Sequence, residues 1–344
     1  GRCCPRRAFY DDVADALDGL GSAVHWLRMP LLALAIVFGV TGRLTAQETG
    51  STAATVLRFA PSPRALALGG AYSALADEVS IFYNPARLAV ATPAVGASYR
   101  SLPVETGLGS TSFALRMGPG TVGGGVQYLN YGEVEVFEPD PASGGEIGIP
   151  TGERVGGGEL AVTFGYGWSA PGGVQIGAAA KLLRLQLAEA VATGAAFDFG
   201  AGFELLDDRL TLGAAVQNLG ADLGPVRASP LPRWIRAGAA LHIDGPAGLR
   251  GTLVAEAIEG GGTVTPAIGF EAGLEAPGDA LLVGRFGDDG TGTGDGQAGR
   301  WPAHFAVGAG LILDGLTLDY AHRSLGVIGT AHVFGLSLRL GARD

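Results

Sequence analysis

Asp319, His322 and Ser324 stand close together near the end of the chain and carry the carboxylate, imidazole and hydroxyl of a nucleophilic triad. Such a triad works only when nucleophile, base and orienting acid come within hydrogen-bond reach. On a strand, the odd offset between Asp319 and His322 sends the two side chains to opposite faces and separates acid from base. No Gly-x-Ser-x-Gly turn elsewhere exposes a serine for attack. Metal chemistry fares no better. Asp288, Asp289 and Asp295 lie among glycines but lack the order and terminal Glu of a calcium-binding loop, so a solvated loop is expected. His304 and His332 have no His-x-x-x-His or carboxylate pattern beside them and read as rim or interfacial histidines. Cys3 and Cys4 precede the expected mature start, leaving no disulfide or thiolate site. The expectation is a protein that is not an enzyme and needs no cofactor and no metal.

The elements that would position these side chains are strands. After Ala94 the chain runs in segments of about ten residues that alternate large apolar with small or polar side chains, separated by Gly, Pro, Asp and Asn. Over residues 160–168, Leu160, Val162, Phe164, Tyr166 and Trp168 oppose Ala161, Thr163, Gly165 and Gly167. Over residues 197–205, Phe197, Phe199, Phe203 and Leu205 oppose Asp198, Gly200, Gly202 and Glu204. About fourteen such segments follow one another, the array of an all-β, up-and-down antiparallel transmembrane barrel. The alternative is a soluble propeller or sandwich with its large residues turned inward. Against it stand the glycine-rich opposite face and the aromatics Trp168, Tyr320 and Trp234 near expected strand ends, where membrane barrels carry interfacial girdles. Asp198, Glu204, Gln217, Asp319, Arg323 and Arg339 are then lumen candidates, expected to pair across neighbouring strands. Residues 138–153 and 284–300, rich in Gly, Asp, Pro and Thr, read as exposed loops.

Composition agrees. Of the 344 residues, 59 are glycine, 47% are hydrophobic and only 16% are charged, whereas globular domains carry about a quarter charged residues. A lipid-facing exterior explains the deficit. The formal charge of -10 and the absence of a basic stripe argue against nucleic acid, whose affinity comes from phosphate neutralisation. Residues 29–46 have the apolar run and small terminal Ala46 of a secretory signal peptide, with cleavage expected after Ala46. Their apolar run is shorter than the about 20 residues a spanning helix needs. Residues 1–28 fit poorly ahead of such a signal and read as a leader or as a start mis-assigned upstream of Met29, with a helix over residues 11–27 as the alternative.

Residues 47–93 separate the signal from the barrel at 94–344 and hold the most informative motif. Gly69 and Gly70 allow close approach or unusual backbone, and Asn84 before Pro85 is a helix start, since the Asn side chain can accept from orphan amides. The run from Ala65 through Gly69-Gly70 to Asn84-Pro85-Ala86 resembles the amino-terminal signature of the PorV/PorQ family of outer-membrane proteins, relatives of the FadL-type barrels. Residues 177–184 with Lys181, residues 194–200 with Asp198, residues 212–220 with Gln217 and Asn218, and the ending Leu318-Asp319-Tyr320-Ala321 before Thr330-Ala331-His332 are similar to the same family in the same order. Two departures are Arg87, where the family usually has glycine, and an ending without a terminal aromatic.

The resemblance implies a fourteen-stranded outer-membrane barrel of a Gram-negative-type bacterium, partly plugged by the segment around residues 69–89 inside it or at its periplasmic mouth. It implies passive transport of a hydrophobic or amphipathic small molecule, with Leu66, Leu68, Tyr72, Ile81 and Phe82 as possible ligand-lining residues; the alternative is that these merely pack the plug against the wall. A second implied role is association with type IX secretion, in which the barrel holds exported proteins at the cell surface through its long loops. Outer-membrane lipid is the expected surroundings, with either a hydrophobic ligand or a secretion partner.

Overall fold

The computed structural model describes residues 52–144, 146–278, 280–291, 305–326 and 329–341. The expected signal peptide and leader, His304 and Asp295 lie outside them. Fourteen strands run in order around one sheet: β1 (Ala94–Ser101), β2 (Gly107–Met117), β3 (Gly120–Pro139), β4 (Gly148–Ser169), β5 (Val174–Leu187), β6 (Ala190–Leu205) and β7 (Leu210–Gly220) form one half. The other half is β8 (Trp234–Asp244), β9 (Leu249–Gly260), β10 (Thr263–Ala276), β11 (Ala280–Asp288), β12 (Phe305–Leu313), β13 (Leu316–Ser324) and β14 (Thr330–Arg339). Every neighbour in sequence is an antiparallel neighbour in space, and β1 pairs with β14 from Ala94↔Arg339 to Ser101↔His332, closing the barrel. Closure leaves no sheet edge around the barrel.

The period-two pattern sorts chemistry between the faces. Phe197 and Phe199 are about half exposed on the outside, while Asp198 between them is fully buried inside. Tyr99, Phe164, Leu182, Phe270 and Phe334 are likewise exposed on the outer wall. Large apolar groups outside and small or charged groups inside invert a water-soluble sandwich, which removes that alternative. Asp319 and His322 do point to opposite sides: Asp319 pairs with the inner-wall Arg285, whereas the His322 ring lies tilted against His332, centroids 5.0 Å apart, on the outer face.

The two ends differ. At one end, where β1 begins and β14 finishes, β2–β3, β4–β5, β6–β7, β8–β9, β10–β11 and β12–β13 are joined by short turns. The other end carries the longer connections, among them residues 221–233. Two sequence readings need correction here. Half of residues 138–153 is strand: β3 and β4 continue past the wall as a ribbon held by pairs such as Val134↔Val155 and Phe137↔Pro150, with residues 140–147 as its connection. Cross-strand pairing overrode a turn-like composition. The loop assigned to 284–300 likewise starts later, because β11 continues to Asp288. Trp234 also faces inward, sharing its side of β8 with Arg236, whose guanidinium lies 5.0 Å from the indole centroid.

Candidate plug and lumen

Residues 52–93 fill the barrel as a chain of short turns. A 3-10 turn (Thr55–Arg58) is followed by one turn of α-helix (Pro63–Ala67), then by 3-10 turns Glu78–Phe82 and Pro85–Val90 that lead to β1. No element is long enough for helical hydrogen bonding alone to sustain it. Caps and the wall hold them. Ser62 Oγ accepts from Ala65 N at 3.1 Å, Asp77 Oδ1 from Val79 N at 2.9 Å, and Asn84 Oδ1 from Ala86 N at 3.1 Å, each with an extended cap residue. Asn84 also donates to Ser73 O at 2.8 Å and to Ala201 O at 3.0 Å, so one amide caps a turn and ties two plug segments to β6.

The small inner face of each strand is where plug backbone meets wall backbone. A Cβ on Gly177 would collide with Pro85 and the Ala86 amide, and one on Gly213 with the Ser73 carbonyl. Gly69 (φ 66°) and Gly70 (φ 77°) end the α-turn in left-handed conformation, with Gly69 pressed on the backbone of Asp288. Gly69 thus requires glycine on both grounds, Gly70 for its backbone conformation, and Gly177 and Gly213 for the close approach.

Charged groups then clamp the plug. Glu256, 2% exposed, accepts from Tyr72 N at 2.8 Å and Ser73 N at 2.7 Å through one oxygen, and from Arg236 Nη1 at 2.7 Å through the other. Arg236 Nε donates to Gln217 Oε1 at 2.7 Å, and Gln217 Nε2 donates to Phe82 O at 2.7 Å. Arg64 forks onto Glu271 at 2.9 and 3.0 Å and reaches Asp77 at 3.0 Å. Arg285 joins Glu271 to Asp319. Arg87, at the position where the resembled family has glycine, is 3% exposed and donates to Gln175 at 2.6 Å and Glu204 at 3.0 Å; burial holds its pKa below the usual arginine range. Lys181 sits 2.7 Å from Asp198 and donates to Asn218 Oδ1 at 2.6 Å, locking the irregular stretch where β6 meets β7.

A cavity of about 390 Å³ lies between the plug and the wall toward the short-turn end. Its lining is mixed: Arg64, Tyr72, Asp77 and Glu78 on the plug face His242, Glu271 and Arg339 on the wall, and apolar side chains such as Val79, Leu281 and Val283 complete it. The Glu78 carboxyl accepts from Ser337 Oγ at 2.9 Å. Burial, and after it the charge of Asp77, pushes Glu78 up to about 7. Burial and Asp77, to which its hydroxyl donates, likewise raise Tyr72 well above the usual phenol range.

The sequence-derived candidates fall as follows. Gly69, Gly70, Asn84, Pro85 and Ala86 all lie at plug–wall contacts. Leu66, Leu68, Tyr72, Ile81 and Phe82 are buried and divide between two apolar clusters, Leu66 in one and the other four together. Of these five, Tyr72 alone reaches the cavity. Asp198, Glu204, Gln217 and Asp319 face inward and are paired as above, Arg323 pairs with Asp289, and Arg339 lines the cavity at the short-turn end. Glu256, Arg236, Arg64, Glu271 and Arg285 were not singled out from the sequence. The available signal was a charge on the glycine-and-alanine face of a strand, as in Arg236 two before Gly238. Among the described residues no group of three or more metal-ligating side chains occurs.

No protein-family model and no curated protein match the chain. Solved structures do. The toluene transporter TbuX of Ralstonia pickettii superposes with a TM-score of 0.51 at 14% identity, covering 81% of this chain and 98% of that one. The deltaS2S3 mutant of the monoaromatic hydrocarbon channel TodX gives 0.54 at 12% identity over 81% and 99%, and the monoaromatic hydrocarbon channel CymD gives 0.51 at 9% over 82% and 98%. At these identities the likeness establishes the fold: this chain shares the closed barrel architecture of hydrocarbon channels.

Proposed function

We propose that the protein is an outer-membrane barrel for passive transport of hydrophobic or amphipathic small molecules, gated by its own amino-terminal plug. The observation that carries this reading is residues 52–93 filling the lumen of a closed fourteen-stranded wall whose exterior is apolar. A barrel of this strand number is wide enough to hold more than side chains, and here the extra content is a short, capped segment with a cavity of mixed polar and apolar lining beside it. In this placement the short turns and both barrel termini face the periplasm, and the longer connections face outward. The architecture shared with TbuX, TodX and CymD supports a hydrophobic cargo. Ligand binding opens the plug only by favouring its displaced state over its docked one.

The PorV/PorQ-type secretion role is the alternative reading. The β3–β4 ribbon supports it, since Val134, Phe137, Ile147 and Ile149 stand exposed beyond the wall. The deciding test compares uptake of toluene and of oleate by cells with and without the barrel, after heat-modifiable migration has confirmed that it is folded. Faster uptake is expected. Unchanged uptake by cells carrying the folded barrel would overturn transport and leave the secretion role, to be tested by capture of exported proteins.

A further inference from the structure

The outer wall carries a second cavity, about 640 Å³, that has no part in the lumen. It is a groove across β3, β4 and β5 at the level where the wall gives way to the projecting ribbon. Its floor is Gly156, Gly157, Gly158 and Leu160; Tyr128 and Asn130 stand on one side, and Arg184 and Gln186 on the other. The register explains the shape. Tyr128, Leu160 and Arg184 form one outward row, and Asn130, Gly158 and Gln186 form the next row up, where glycine leaves a trough between two polar side chains. The β3–β4 register shifts beside the groove, between Asn130 and Glu133.

Two features identify the occupant. Arg184 makes no hydrogen bond or ion pair among the described residues, and it shares the groove with Arg154, whose pairing with Glu133 is loose at 3.5 Å. An outward guanidinium beside an aromatic ring at the edge of an apolar wall is placed to pair with an anion, and phosphate matches its fork of donors. The row directly below the groove is Val126, Val162 and Leu182, followed by Phe164, all exposed and apolar. Polar above and continuously apolar below is the profile of one lipid molecule standing upright.

We propose that this groove binds a phosphate-bearing lipid of the outer leaflet, with its phosphate on Arg184, its remaining polar groups on Asn130, Gln186 and the acidic lip of Glu105 and Glu133, and an acyl chain along Val126, Val162, Leu182 and Phe164. The inference rests on membrane embedding and not on transport, so a barrel that moves no solute can still satisfy it.

The test is native mass spectrometry of the detergent-folded full barrel with added phosphatidic acid, against diacylglycerol of the same chains. The wild-type barrel is expected to retain one phosphatidic acid and no diacylglycerol. Arg184→Gln should weaken retention about tenfold or more, the scale of one charge-assisted contact, and Arg184→Lys should restore part of it. Heat-modifiable migration shows that each variant remains folded. Equal retention by wild type and Arg184→Gln overturns the site. Competition by millimolar inorganic phosphate overturns the lipid and leaves a bare anion site, and equal retention of diacylglycerol overturns the phosphate contact.

Discussion

Glu256→Gln tests whether the plug is held by charge. The carboxylate serves three donors, the Tyr72 and Ser73 amides and Arg236, at 2.7–2.8 Å in a site 2% exposed. Glutamine keeps the volume but offers one acceptor oxygen, and its amide nitrogen then faces a donor. Arg236 and Glu256 both belong to the wall, so their ion pair is common to the docked and undocked states. The docking loss is that of the two plug amide bonds to the carboxylate; hydrogen bonds to a charged group contribute roughly 1.5–3 kcal/mol each, and at the lower end of that range the two together give about 3 kcal/mol. That multiplies the undocked population by roughly a hundredfold. The β8–β9 ladder does not use this side chain, so the wall should assemble normally. Planar-bilayer recording should show frequent openings in Glu256→Gln where wild type stays closed, and protease should cut residues 60–90 faster. A variant with wild-type conductance and protease resistance refutes the clamp.

Further predictions address the other contacts. Gly177→Val places a side chain where Pro85 and Ala86 lie; the heat-shifted band should persist while conductance rises. Lys181→Ala leaves Asp198 buried without its cation, and a loss of about 3–5 kcal/mol should lower the temperature at which the folded band disappears. Arg339→Ala, at the cavity rim, should alter conductance with little effect on membrane insertion; loss of the inserted barrel would count against its inward placement. Docking should also depend on pH through Glu78, raised from 4.5 to about 7 by burial and by Asp77. The docked state holds the extra proton, so this contribution is complete below about pH 4.5, falls as pH rises through 7, and amounts to on the order of 3 kcal/mol. Openings should therefore be rarer at pH 5 than at pH 8, and Glu78→Gln should flatten that dependence.

The wall was legible because lipid outside and plug inside impose opposite demands on alternate residues, as Phe197, Asp198 and Phe199 show. The turn at Asn84-Pro85 was legible because capping is local chemistry. Glu256 was not, because its plug partners are two backbone amides 184 and 183 residues away, and amides leave no mark in a sequence. Parity within β8 would have put Trp234 on the same side as Arg236, but its place near a strand end pointed to the membrane interface instead. Residues 138–153 misled in the other direction. Gly, Pro and Asp there suit an exposed connection, and only the opposed pairs of β3 and β4 make a ribbon of them.

The plug is held in two ways, and the difference bears on gating. The turn Pro85–Val90 lies backbone against backbone on Gly167 and Gly177, a close-packed contact with no space to yield. Around Arg64, Asp77 and Glu78 the plug instead borders the 390 Å³ cavity and is joined to the wall by Glu271 and Ser337. Charged side chains at the margin of an open cavity can exchange a protein partner for water at modest cost, because an ion pair in a wet setting contributes far less than one in a dry interior. Packed glycine contacts have no such substitute. Displacement should therefore begin with the cavity-lining Asp77–Glu78 stretch, between two packed anchors: Gly69 on Asp288 and Ser73 on Gly213 to one side, and the Asn84-Pro85 turn to the other.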